Sequence, residues 1–180
     1  MDITQIKQKA DEVLSKYNPE GLVPFPFERM ATSLADVDLL FSDTMPTKIS
    51  GAIFFQNGRF KLLINKQKAE TKQYFTAAHE FGHYFLHNDW LRLNPNNSFV
   101  DYEEMLDFQG MLLRPEEAPT TGEAIQKERD ANSFEAELVM PVNKVREFWN
   151  LTHDIASCAN AFQVSQSAMA IRLENLHLVS

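Results

Sequence analysis

The residues of this chain best placed to do chemistry stand together in one run, His79-Glu80-Phe81-Gly82-His83. On a helix, residues four apart lie about one turn apart on one face, so both imidazoles can reach a single metal ion. Glu80 follows the first histidine, where its carboxylate can meet a metal-bound water instead of the metal. Two fixed nitrogens, an open position and a neighbouring general base are what a zinc hydrolase requires. Two part-exposed histidines on a metal-free surface helix would show the same spacing. Against that stand Phe75, Ala78, Phe85 and Leu86, which give the helix a side to bury.

Stepping from these residues to what must hold them, the run 74–87 contains no proline, and Gly82 is its only glycine. A zinc site needs a third protein ligand. His87 continues the spacing, but on an unbroken helix it lies about 12 Å along the axis from His79, at about 1.5 Å per residue. Zn–N bonds of about 2 Å cannot span that distance. His87 is read instead as a helix-end residue, favoured there by the C-terminal dipole. A second helix is predicted over 128–140, where Ala131, Phe134, Leu138 and Val139 keep a helical period and Pro141 stops it. Glu128, Ala131, Asn132 and Glu135 share one face of that helix. A carboxylate from it would complete a His, His, Glu site with water in fourth place.

The two stretches F-T-A-A-H-E-F-G-H-Y-F-L-H and E-R-D-A-N-S-F-E-A-E-L-V-M-P resemble the ImmA/IrrE family of metallo-endopeptidases. The likeness covers most of residues 50–87 and 125–141, with a weaker echo at 155–178. It implies an α+β, zincin-like fold, mostly helical, in which two helices hold the metal as in thermolysin-type peptidases. Carried over by position, His79, His83 and Glu128 are implied as zinc ligands and Glu80 as the catalytic base. Asp130, Glu135 and Glu137 stay as lesser ligand candidates, expected to serve as solvated or supporting carboxylates. The resemblance further implies a protein substrate: a helix-turn-helix repressor of a mobile element or stress regulon. A second oxyanion donor is expected from Tyr84, His87, Tyr102 or His153, and spacing does not choose among them.

The remaining elements are read in order. An amphipathic helix is predicted from about Ile3 to Tyr17, on the stripe Ile6, Ala10, Val13, Leu14 and Tyr17, with Asn18-Pro19 ending it. A second helix is expected from Phe27 to about Leu34, and a first strand from Val37, Leu39, Leu40 and Phe41. Gln56-Asn57-Gly58 between the apolar runs 49–55 and 59–64 signals a hairpin. These strands make a small sheet of about three strands. Strand addition would hold a substrate beside the metal, so strand 59–64 or its neighbour is the expected rail, with plain packing as the competing role. The 88–122 connector holds turn-rich stretches at 94–98 and 115–122, with a short helix or strand between them in 102–113. It links the two metal-bearing helices and is a candidate lid. After Pro141, a short helix is expected over 142–149. Residues 154–178 have helix-turn-helix spacing with Ser165 as N-cap of the second helix. Residues 1–150 are expected to form the metallopeptidase domain and 151–180 a helical segment packed on it.

Composition agrees with a small enzyme. A chain of 180 residues with 44% apolar content and 14 Phe can bury a sizeable core. One cysteine, Cys158, excludes an internal disulfide and suits a cytoplasmic setting. The first residues lack the apolar core of a secretion signal, and no apolar run reaches the 18 or so residues of a membrane span. A net charge of −8 argues against general affinity for phosphate backbones. Residues 151–180 carry Arg172 and no Lys, so direct DNA binding is not expected of them. The functional expectation is therefore a zinc metallo-endopeptidase. The rival is a non-catalytic, zinc-containing antirepressor that acts by docking to a repressor.

Overall fold

The computed structural model describes residues 1–102, 105–106, 112–113 and 122–179. The fold is α+β and mostly helical. Helix α1, Ile3–Tyr17, is capped by Asp2 and Gln5 in a reciprocal capping box, and it buries Ile6, Ala10 and Val13. Helix α2, Phe27–Ser33, leads into strand β1, Val37–Ser42. Strands β2, Ile49–Gln56, and β3, Arg59–Asn65, form the expected hairpin. Asn57 and Gly58 at its tip both have positive φ, the conformation for which Asn-Gly is suited.

The sheet holds four strands in the order β1-β3-β2-β4, where β4 is Ser98–Tyr102. The sequence reading anticipated about three. The fourth strand comes from the connector after the helix that carries His79 and His83 and pairs antiparallel with β2. Strand β3 lies between β1, to which it runs parallel, and β2, to which it runs antiparallel. Both of its edges are therefore occupied, so strand 59–64 itself has no edge for a substrate strand, whereas its neighbour β1, the other half of that expectation, is an outer strand. Within this sheet the outer strands are β1 and β4. A second, small sheet pairs β5, Met105–Leu106, with β6, Leu112–Leu113. Residues 103–104, 107–111 and 114–121, where the remaining expectations for the connector fall, lie outside the described residues.

Helix α3, Glu70–Leu93, packs on β2, β3 and β4 and against helix α4, Gly122–Val139, which in turn packs on α1. Thr76 through Tyr84 are buried without a break, because α3 is covered on several sides. Phe81 of α3 stacks on Phe27 and on Phe85 of its own helix, and Phe60, Phe81 and Phe134 are fully buried. Each such burial contributes about 1.5–3 kcal/mol relative to exposure. Helix α3 runs well past His87 and ends at Asn94, just before Pro95. His87 is thus a buried mid-helix residue and not the helix-end residue expected.

Helix α5, Val142–Thr152, follows Pro141, and α6, Ile155–Phe162, and α7, Gln166–Asn175, close the chain. Ser165 caps α7 by accepting from the Ala168 amide, as expected. Arg172 of α7 is buried. Its guanidinium donates to both carboxylate oxygens of Glu137, at 3.2 and 2.6 Å, and to the Met140 carbonyl.

Candidate metal centre

Helices α3 and α4 meet at a close contact built on small residues. A Cβ on Gly82 would stand 3.1 Å from both Cα and O of Ala131, so glycine lets the two backbones approach. His79, about a turn before Gly82, and His83, directly after it, face α4. His79 Nε2 and His83 Nε2 lie 3.1 Å apart, and Glu128 Oε2 lies 3.2 Å from His79 Nε2. Glu128 Oε1 is 3.5 Å from His83 Nε2. One ligand atom from each of His79, His83 and Glu128 lies within 4.8 Å of the others.

These residues fit a metal ion. Two imidazole nitrogens facing each other at 3.1 Å repel as lone pairs unless a proton or a cation lies between them. Two nitrogens on one tetrahedral zinc stand about 3.3 Å apart when each bond is about 2.0–2.1 Å. Glu128 Oε1 is buried with no hydrogen-bond partner among the described residues, an expensive arrangement for a carboxylate oxygen that nothing else satisfies. Burial opposes charge on Glu128, but the two histidines beside it hold the carboxyl well below the usual range. Burial also pushes His83 down to about 4, with Glu128 opposing. For His79 burial acts in the same sense, but Glu128 and Glu135 outweigh it and raise the ring well above its ordinary value.

Each histidine is held from behind. Glu135 Oε2 lies 3.5 Å from His79 Nδ1, on the far side of the ring from Glu128. His83 Nδ1 lies 3.2 Å from His87 Nδ1, and His87 Nε2 is 3.7 Å from Asp130. Phe99 of β4 stacks on His83 with ring centroids 4.0 Å apart. Such contacts fix ring orientation before any ligand arrives. Of the lesser ligand candidates, Glu135 therefore supports His79. Asp130 accepts from the Met1 amino group at 2.7 Å and from Gln126, and Glu137 pairs with Arg172.

Glu80 is fully buried, and neither of its oxygens has a hydrogen-bond partner among the described residues. Burial pushes its carboxyl well above the ordinary range, with His79 opposing. Strand β2 passes close by. A Cβ on Gly51 would meet Thr76 Cγ2 at 2.3 Å and Glu80 Oε1 at 2.8 Å, so only glycine fits there. A glycine inside a strand signals a close approach of this kind, and Gly51 was legible on that ground. Lys72, Thr76 and Asp101 carry no comparable signal, yet they border a cavity of about 410 Å³ beside His79. Among the described residues, none of Tyr84, His87, Tyr102 and His153 lines that cavity. The Tyr84 hydroxyl donates to Asp36, and His153 caps α5 in a left-handed conformation.

An α+β fold with two histidines on one buried helix and a glutamate on its neighbour is the arrangement of a peptidase-type metal centre. The sequence matches the IrrE N-terminal-like domain family of M78 peptidases over residues 33–174, and the chain belongs to that family. No curated protein matches it. Among solved structures, a Mycobacterium tuberculosis transcriptional regulator is similar, with a TM-score of 0.61 at 14% identity. The match covers 95% of this chain and 46% of that one, so this chain spans less than half of its length. At that identity the likeness is one of fold.

Proposed function

We propose that the chain is a zinc-dependent endopeptidase that cuts a regulatory protein, a helix-turn-helix repressor, with His79, His83 and Glu128 as ligands and Glu80 as base. In this reading residues 1–150 form the catalytic unit and 151–180 a helical segment packed on it. The observation that carries it is the convergence of three ligand atoms within 4.8 Å beside a buried, unpartnered carboxylate. Zinc held there supplies Lewis-acid polarisation of the scissile carbonyl and lowers the pKa of a water. Glu80 takes a proton from water as its oxygen adds to the carbonyl carbon, then passes that proton to the departing amine as the C–N bond breaks.

Positioning falls to the outer strand β4. Phe99 seats this strand against His83, and Asp101 borders the cavity beside His79. A peptide added along β4 would be held through backbone hydrogen bonds. The test is zinc content and repressor cleavage measured together. Wild type is expected to hold one zinc, Glu128→Ala to lose it, and Glu80→Gln to keep it while cleavage falls by about 10²–10⁴-fold. A Glu80→Gln protein that relieves repression as well as wild type overturns catalysis in favour of a docking antirepressor.

A further inference from the structure

The cavity beside His79 has a divided lining. Its charged groups are committed to one another. Lys72 Nζ lies 3.2 Å from Asp101 Oδ2, the Thr76 hydroxyl donates to that same oxygen at 3.1 Å, and Glu135 faces His79. The apolar part comes from three elements: Phe75 of α3, Ala136 of α4 with Met140 just after it, and Ala168 and Ile171 of α7. Helix α7 is anchored on its other side, where Met169, Arg172 and Leu173 are buried. Ile171 is 57% exposed. A lone exposed isoleucine needs no explanation. This one walls a cavity that His79 of the candidate metal centre also lines.

We infer that this cavity is the specificity pocket of the proposed peptidase, that it takes a large apolar side chain from an extended substrate segment, and that Ile171 is a specificity-determining residue. The inference rests on the endopeptidase reading of the same site. A charged substrate side chain would have to break into the Lys72–Asp101 pair, while a small one would leave the apolar walls wet. A volume of about 410 Å³ lies within the range of roughly 300–1,000 Å³ typical of small-molecule pockets and leaves room for a large side chain. The geometry also gives the C-terminal helices a part in substrate choice, with α7 forming one wall.

The test uses zinc-loaded Glu80→Gln protein and blocked hexapeptides alike except for Phe, Leu, Ala, Asp or Lys at one central position. Binding is read by calorimetry. The Phe and Leu peptides are expected to bind at least about tenfold more tightly than the other three, as apolar pockets discriminate by that order. Adding Ile171→Glu brings all five to within about twofold of one another, while Ile171→Met keeps the preference. Ala168→Leu, which fills the cavity from the same helix, weakens the Phe peptide as well. Equal affinity for all five peptides, measurable or not, overturns the inference. So does a preference that survives both Ile171→Glu and Ala168→Leu in proteins with unchanged zinc content. A preserved preference in a wild type that cleaves nothing would sink the peptidase reading and leave the pocket standing.

Discussion

His87 shows how much the surroundings of a candidate ligand matter. The helix spacing that places it beyond reach of a shared metal also places it directly behind His83, with its Nδ1 3.2 Å from that of His83. It is buried, and burial together with His83 pushes its pKa down to about 4 against the pull of Asp130. A neutral ring in that position can accept from His83 and fix its tautomer. Replacing His87 by alanine is therefore expected to weaken zinc affinity by about 10–100-fold without removing a ligand. Competition with a chromogenic chelator reads this directly, and wild-type affinity in His87→Ala would remove the role assigned to it.

At the scale of elements, what matters is how the helices are stopped and how closely they approach. Helix α6 depends on Asp154, whose carboxylate accepts from the Ser157 amide at 2.7 Å. Its bond to Ser157 holds the carboxyl below its ordinary value of 3.8. A depressed pKa adds stability that is present above pH 3.8 and is lost as pH falls through the lower, folded-state value. Asp154→Ala should thus lower the melting temperature at neutral pH, and the gap to wild type should close under acid. Thermal denaturation across that range checks both parts. A gap that stays constant down to the lowest pH would mean the cap acts by something other than its charge.

For the molecule as a whole, the ion pair between Arg172 and Glu137 joins the C-terminal helices to the helix that carries Glu128. Lys7 of α1 stands near the same carboxylate, with its Nζ 3.8 Å away. Removing one member of a buried pair strands the other, at a cost of about 3–5 kcal/mol. Arg172→Ala is expected to destabilise the protein by that amount in urea unfolding. A DNA-binding role would instead need Arg172 at the surface, and the net charge of −8 would oppose phosphates there. Among the described residues, no helix is long and apolar enough to cross a membrane. Native-like stability in Arg172→Ala would show that the pair holds nothing together.

The local chemistry was readable from the chain alone. The i, i+4 histidines, the Asn-Gly hairpin and the Ser165 cap are all set by spacings of a few residues, so backbone geometry carries them into space unchanged. The burial of His87, the outer strand β4 and the cavity were decided elsewhere. Their settings depend on which surfaces meet after 20 to 100 residues of chain have folded back. Sequence periodicity marks the face of an element, whereas the partner lying against that face follows from packing the whole molecule. That is why His79 and His83 could be paired by spacing and Glu128 set beside them by family resemblance, while Phe99, Asp101 and Ile171 came into view only when β4 and α7 were placed around them.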